Sequence, residues 1–498
     1  MFVDEKLLLT YKEIFLLIRK NTVFMITKYK VFSNLILKLK SQYNNTLEII
    51  NRNMVLRTLD KSDFRIKIDG KWLLITTSVL ENHPGGSAIL AYKNKDASTV
   101  FHTFHGGSKI AYKQLEDLKK NYLVDGPEEE PEAILTYLDK INIGEFNLTE
   151  DKCNEINKNF NRFRMDVRRA GYFEASNIFF IRKFFESIGI ILISYFLQYN
   201  EWYILSALCM GLAWQQLGWM IHDYTHNQHF KNHWYNDISS YIVGNFLQGF
   251  SSGGWKEQHN VHHVATNVVG RDGDLDLLPF WATVASDLKI IDLTHWTALL
   301  LPYQHIYWAI GLPFLRLSWL VQSFQFVISM SNHFYKCNRE KAIYEQIGLL
   351  GHWTMTLVQL YYLPNWEIRI MFFIVSQIFG GFLLAHVVTY NHYSTDKFNY
   401  GDRILETYAC LQLYTTRNMR PGIFIDWLWG GLNYQIEHHL FPTMPRHNLS
   451  KVMPLVKKFC KDNDLPYMVD DYYTGWVKEI EQMRNVAVVA KKMLKKVV

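Results

Sequence analysis

The sequence predicts a multidomain chain: a small α+β domain followed by an all-α integral membrane body with about four transmembrane helices. Three observations carry this. Charged residues are only 20% of the 498 positions while aromatics reach 15%, and several long stretches lack any charge, a combination rare in a soluble enzyme of this size. Those stretches come in pairs, each pair split by a very short polar turn. Ahead of them, residues 61–124 combine alternating apolar residues with turn signals, the pattern of a compact polar domain.

In chain order, residues 1–60 are an N-terminal extension rich in Lys, Asn, Ile, Leu and Phe. Lysines interrupt every apolar run, so no signal-peptide core forms; the segment is expected either as an amphipathic surface helix or, with Met54 as the biological start, as an artefact of the gene model. Within 61–124, the segment from Phe64 to Gly70 reads as the start of a hairpin. Trp72 to Ile75 returns it, and His83-Pro84-Gly85-Gly86 makes a tight turn. Residues 125–175 are a linker and cytosolic pre-membrane helix, in which the acidic run Asp125 to Pro131 and the following Asn and Lys residues read as solvated chain through about residue 160.

The membrane body is placed at 176–470. Trp202 to Ile221 is uncharged for twenty residues, long enough at about 1.5 Å per residue to cross a hydrocarbon core of about 30 Å. The apolar segment from about Phe184 to Tyr199 precedes it across Asn200-Glu201. Gln346–Trp366 and Ile370–Tyr390 repeat the arrangement around Glu367 and Arg369, so two hairpins make four spans. Trp296 to Met330 is apolar but holds Pro302, His305, Pro313 and Arg316, which suits the interface or the core. Arg162, Arg164, Arg168, Arg169, Arg182 and Lys183 precede the first span, so the positive-inside rule puts the linker in the cytosol. Residues 471–498 form a cytosolic tail.

Composition excludes other classes. The net charge of +6 comes from basic residues interleaved with acids, which is no nucleic-acid footprint. Cys153, Cys209, Cys337, Cys410 and Cys460 are scattered with no Cys-x-x-Cys pair, which argues against a disulfide framework or zinc knuckle and fits a reducing compartment.

The chemistry lies in the histidines. His222 and His226 stand at i, i+4 where the second span ends, so both imidazoles leave one helix face. His259, His262 and His263 repeat this at i, i+3, i+4; Gln435, His438 and His439 repeat it again with glutamine first; His392 directly follows the fourth span. The ordinary reading of one such histidine is a polar residue at a membrane interface. Three clusters at span ends on one side of the membrane change that, and seven or eight neutral imidazoles without thiolates suit a dinuclear iron site better than zinc, which closes with four ligands. His229, His233, His295, His305, His333, His352, His386 and His447 lie off these spacings and are assigned structural roles. In the small domain, His83 is one candidate axial ligand of a flat cofactor, with His102 or His105 as the second.

The segment with Gly70-Lys71-Trp72, His83-Pro84-Gly85-Gly86 and Phe104-His105 resembles a cytochrome b5 domain. His222-Asp-Tyr-Thr-His226, His259-Asn-Val-His-His263 and Gln435-Ile-Glu-His-His439 resemble the histidine boxes of front-end fatty acid desaturases. The resemblance runs from about Phe64 almost to the end. The stretches Gly249–His259 and Phe424–Gln435 are similar to those of animal delta-5 and delta-6 enzymes, closer to delta-5, whereas the N-terminal extension has no counterpart and Met54 resembles a family start.

The resemblance implies haem b held by His83 and His105, with His102 a bystander. It also implies two iron ions held by His222, His226, His259, His262, His263, His392, His438 and His439, with Gln435 a ligand or a donor beside one, and with Asp223 and Glu437 orienting neighbouring histidines. The resemblance further implies NADH-cytochrome b5 reductase as the electron source and a fatty acyl chain on coenzyme A or phospholipid as the substrate; dioxygen is the expected co-substrate, because an unactivated C–H bond yields only to an oxidising metal centre. Delta-6 acyl desaturases, sphingoid-base delta-8 desaturases and fused lipid hydroxylases share this apparatus; a membrane-tethered haem electron carrier is the non-catalytic alternative, and it leaves the boxes without purpose. Lys495 to Val498 resembles a dilysine retrieval signal, implying the endoplasmic reticulum membrane.

Overall fold

A computed structural model describes residues 63–128, 135–293 and 295–495. The N-terminal extension with Met54, the acidic run beyond Glu128 and the last three residues of the dilysine-like tail lie outside the described residues. In strand β1 (Phe64–Ile68) every second residue is apolar, so one face buries Phe64, Ile66 and Ile68. Asp69 and Gly70 take φ of 52° and 77°, the left-handed backbone a two-residue hairpin turn demands. They return the chain into β2 (Lys71–Ile75), with Phe64 opposite Ile75 and Ile68 opposite Lys71. Strand β3 (Leu123–Val124) completes the sheet beside β2. Between β2 and β3 run helices α1 (Thr77–Glu81), α2 (Ser98–Phe104) and α3 (Lys109–Asn121).

Helix α4 (Glu150–Arg169) corrects the solvated chain expected up to residue 160. Cys153, Ile156, Phe160 and Val167 are buried along one stripe. Their helical spacing is masked in the sequence by the Asn and Lys residues that occupy the wet face. Phe160 stacks on Phe441 with ring centroids 5.9 Å apart and meets Phe459 edge-on.

The helices of the remaining body that frame the site are α5 (Asn177–Tyr199), α6 (Tyr203–Thr225), α7 (Ser252–Val264), α8 (Leu315–Ile328), α9 (Lys341–Tyr361), α10 (Trp366–His392), α11 (Tyr408–Thr415), α12 (Gln435–Leu440), α13 (Leu449–Asp462) and α14 (Tyr472–Leu494). Among the described residues, α6 and α10 are the two helices long and apolar enough to cross a membrane. They pack backbone to backbone, since a Cβ on Gly211 would sit 2.8 Å from the Ser376 carbonyl oxygen and 2.9 Å from the Gly380 nitrogen. Helices α5 and α9 match them in length, carry charge within their first two turns (Arg182, Lys183, Lys341, Glu345), and leave Phe185, Leu192, Phe196, Leu350 and Leu357 exposed. The apolar region from Trp296 breaks at Pro302 and Pro313 into short helical turns leading into α8. It exposes Ile306, Ile310 and Phe324 while burying Trp308 and Arg316.

One apolar core runs without a break from the small sheet domain through α4 into α7, α11, α12 and α13. The small domain is therefore docked on the body through side chains. Because Phe160 is fully buried at the centre of that core, Phe160→Ala is expected to cost about 3–5 kcal/mol, read as a lowered thermal midpoint of the detergent-solubilised chain; an unchanged midpoint would contradict the assignment of α4 to the core.

Candidate metal centre

Helix ends bring the box histidines together. His222 lies in the last turn of α6 and His226 caps it. His259, His262 and His263 stand on α7, His392 is the last residue of α10, and Gln435, His438 and His439 lie on α12. The start of α7 is pinned by the buried carboxylate of Glu345, whose Oε2 accepts from Ser251 Oγ at 2.6 Å and Gly253 N at 3.1 Å. The start of α12 is pinned by Asn418, whose Oδ1 accepts from Ile436 N at 2.8 Å.

Two groups result. The ligand atoms of His222, His226, His259, His263 and His438 lie within 4.8 Å of one another, and so do those of His262, His392 and His439. His263 Nε2 is 3.0 Å from His259 Nε2 and 3.1 Å from His438 Nε2. That is the spacing of neighbouring nitrogens at right angles around one ion at bond lengths of about 2.1 Å. Gln435 Nε2 stands 3.0 Å from His392 Nε2, and the buried Gln435 Oε1 has no partner among the described residues. Seven of these imidazoles are buried and the eighth, His259, keeps only 13% of its side chain exposed.

The partners of Nδ1 decide which nitrogen is free. His262 Nδ1 donates to Asp272 Oδ2 at 2.9 Å, His392 Nδ1 to the Thr415 carbonyl at 3.0 Å, and His439 Nδ1 to Gln412 Oε1 at 2.8 Å; His259 Nδ1 lies 3.4 Å from Asp274 Oδ2. Each ring so held keeps its lone pair on Nε2. His222 Nε2, His226 Nε2 and His439 Nε2 are buried with no hydrogen-bond partner among the described residues. Burial, reinforced by neighbouring imidazoles, holds His226, His263, His438 and His439 far below the usual imidazole range, so they remain uncharged donors. At His262 burial also pulls downward, but Asp272 and Asp274 outweigh it and raise the ring. Uncharged nitrogen lone pairs converging without thiolates are a donor set for a borderline divalent cation such as iron.

The expected orienting acids are not the ones found. Asp223 points to Arg446, Oδ2 to Nε 2.9 Å, because adjacent helix positions diverge by about 100° and it cannot share the face of His222. Glu437 accepts from Tyr467 OH at 2.6 Å and Asn418 Nδ2 at 2.8 Å, and so fixes the backbone of the third box. The acids that reach histidines are Asp272 and Asp274, signalled in the sequence by an Asp-Gly-Asp triplet nine residues beyond His263. Gln412 and Thr415 on α11 carry no such signal.

The other histidines pack elsewhere. His386 Nδ1 bonds to the Phe382 carbonyl at 2.6 Å, His229 stacks on Phe180, and His352 Nδ1 bonds to the Phe246 carbonyl. In the small domain the rings of His83 and His105 lie 6.2 Å apart, about the separation of two imidazoles on either side of one metal bound roughly 2 Å from each. Their Nδ1 atoms are anchored on the carbonyls of Gly86 and Phe101 at 3.1 and 3.0 Å. Burial, with help from His83, lowers His105 to about 4. His102 differs: its Nδ1 meets Tyr112 OH at 2.9 Å and its Nε2 meets Asp69 at 2.8 Å, so both ring nitrogens are engaged.

Gln412 also donates through Nε2 to the His263 carbonyl at 2.9 Å, which orients its oxygen toward His439. Gln412→Leu is expected to weaken metal retention about 10- to 100-fold, measured as the chelator concentration that strips half the bound metal. Wild-type retention would show that His439 needs no such support.

Comparison with known proteins agrees with this geometry. The family model described as fatty acid desaturase matches residues 200–470. The chain is 60% identical over 89% of its length to the Delta(5) fatty acid desaturase fat-4 of Caenorhabditis elegans, covering 100% of that protein. It is 46% identical over 86% of its length to the Delta(6)-fatty-acid desaturase fat-3 of the same organism, covering 97% of it. To the Delta(8)-fatty-acid desaturase of Euglena gracilis the identity is 35%, over 79% of this chain and 88% of that one. Since the matched segment takes in every histidine from His222 to His439 and the similarity to the first relative spans that protein's whole length, the chain belongs to the fatty acid desaturase family.

Proposed function

We propose that this chain is an oxygen-dependent front-end desaturase that introduces a double bond at the delta-5 position of long-chain polyunsaturated acyl chains. The observation that carries the chemistry is the pair of adjoining imidazole groups with their free nitrogens turned to common points. His222, His226, His259, His263 and His438 would hold one iron, and His262, His392, His439 and Gln435 the other. Bound iron, with dioxygen as co-substrate, supplies the oxidising power needed to remove hydrogen from an unactivated methylene pair.

The protein's own groups do the rest. Burial keeps His226, His263, His438 and His439 uncharged, and Asp272, Gln412 and the Thr415 carbonyl hold His262, His439 and His392 in the tautomer with the lone pair on Nε2. Seven of the rings, carried on α6, α7, α10 and α12 or at their ends, are buried, which shields the site from bulk water. The 60% identity to a protein named as a Delta(5) desaturase favours carbon 5, and the 46% identity to one named as a Delta(6) desaturase makes carbon 6 the second reading.

Residues 61–124 are read as a cytochrome b5-like domain with haem b between His83 and His105, because these two rings keep Nε2 available while His102 does not. NADH-cytochrome b5 reductase is the partner that reduces it. Residues 125–175 join it to a desaturase body at 176–470. Pairing α5 with α6 and α9 with α10 gives four spans whose short turns lie on the far side, while the basic residues of α4 and early α5 keep the haem domain and histidines in the cytosol, at the endoplasmic reticulum membrane.

The test is expression in yeast that lacks polyunsaturated fats, with C18 and C20 polyunsaturated acids fed separately and product double bonds located by mass spectrometry. A new bond at carbon 5 of the C20 acid, absent in His262→Ala, is expected. A bond at carbon 6 would select the second reading. A hydroxylated product, or none despite a normal haem spectrum, would overturn the proposal.

A further inference from the structure

Resting on the reading of His83 and His105 as haem ligands and the boxes as iron ligands, we infer that Phe104 is the contact through which electrons pass from the haem domain to the iron site. Phe104 is joined directly in the chain to His105. Its ring meets the ring of His263, a member of the larger imidazole group, edge to face with centroids 6.4 Å apart and planes at 69°. It meets Tyr408 in the same manner at 6.4 Å, and the Tyr408 hydroxyl donates to the His439 carbonyl at 2.6 Å. These separations fall within the range of aromatic contact, about 4.5–7 Å. One side chain thus spans the gap between the ligand set of the small domain and the second box, and Tyr408 continues the contact to the backbone of the third.

The placement is fixed from outside. Arg164 Nη1 donates to the His102 carbonyl at 2.8 Å. Arg168 lies so close to Gly106 that a Cβ there would be 2.8 Å from its Nη2. Arg164 therefore ties the 102–106 segment to α4 at one end and Arg168 lies against the other, while the shared core packs Phe104 against the body. Phe101, which stacks on His105 at 4.5 Å, makes its other ring contacts with His102 and Tyr112 inside the small domain. Of the two phenylalanines beside His105, Phe104 is the one that leaves the domain.

The electron balance requires an external supply. Each turnover removes two hydrogens from the acyl chain and reduces one dioxygen to two waters, so two electrons and two protons beyond those of the substrate must be supplied. The electrons originate in the reductase's nicotinamide and arrive singly, because haem carries one at a time. In each transfer ferrous haem is oxidised, a ferric non-haem iron is reduced, and the Phe104 ring is neither. The ring serves by filling the gap with polarisable matter where tunnelling would otherwise cross empty or saturated space.

The experiment uses the full chain with haem and iron bound, held anaerobic with both centres ferric. A photosensitised flash reduces the haem by one electron, and the ferrous-haem band is followed as it decays. Phe104→Leu, which keeps the apolar filling but removes the ring, is expected to slow this decay about tenfold, and Phe104→Tyr to stay within about twofold of wild type, with haem spectrum and iron content unchanged in both. Decay of Phe104→Leu at the wild-type rate would overturn the inference, as would equal slowing in both variants, which would assign the effect to packing. A wild-type chain with no haem band, or one whose band does not decay with iron present, would instead overturn the cofactor reading on which the inference rests.

Discussion

Everything in this fold answers to the difficulty of burying uncharged imidazoles with their lone pairs turned toward one another. Nitrogen pairs at 3.0 and 3.1 Å around His263 are satisfied when one neutral ring donates its N–H to the other; where two lone pairs face each other they call for a cation between them, since burial opposes an added proton. The scaffold therefore closes around the site from several directions. Carboxylates reach His262 and His259, the carboxamide of Gln412 reaches His439, and a backbone carbonyl reaches His392. Glu345 and Asn418, themselves buried, fix the first turns of the two short helices that carry five of the rings. Asp272, Gln412, Thr415, Glu345 and Asn418 are themselves buried, whereas Asp274 keeps a third of its side chain exposed.

The second consequence concerns the small domain. A tethered electron carrier would need only a flexible linker, yet here α4 sends Ile156, Phe160 and Val167 into a core shared with the box helices, and Arg164 hydrogen-bonds the 102–106 segment while Arg168 packs beside it. Docking replaces a diffusional encounter with a fixed contact, so the separation between the two proposed redox sites becomes a property of packing. A fixed contact can also be tuned by one side chain, which gives Phe104 its place in the account.

Much of the site was legible in the sequence because it obeys helix periodicity. His222 with His226, His259 with His262 and His263, and His438 with His439 are local patterns, and a helix end presents them on one face. The hairpin at Asp69-Gly70 was legible for the same kind of reason. The stripe of α4 was not, since polar residues outnumber Ile156 and Phe160 in their neighbourhood and conceal the helical spacing. Gln412 and Thr415 were not either, because their partners lie 23 or more residues away in the chain, and no local pattern reports a long-range hydrogen bond. The adjacent acids Asp223 and Glu437 misled because nearness in sequence on a helix places side chains on different faces.

The central claim is that the imidazoles form two metal positions and not one. Its most direct test is metal analysis with Mössbauer spectroscopy on the purified full chain, loaded with iron during expression. Two non-haem irons per chain with mutually coupled spectra, in addition to one haem, is the result predicted here. A single metal per chain, in particular one zinc held by four of the rings, would contradict it.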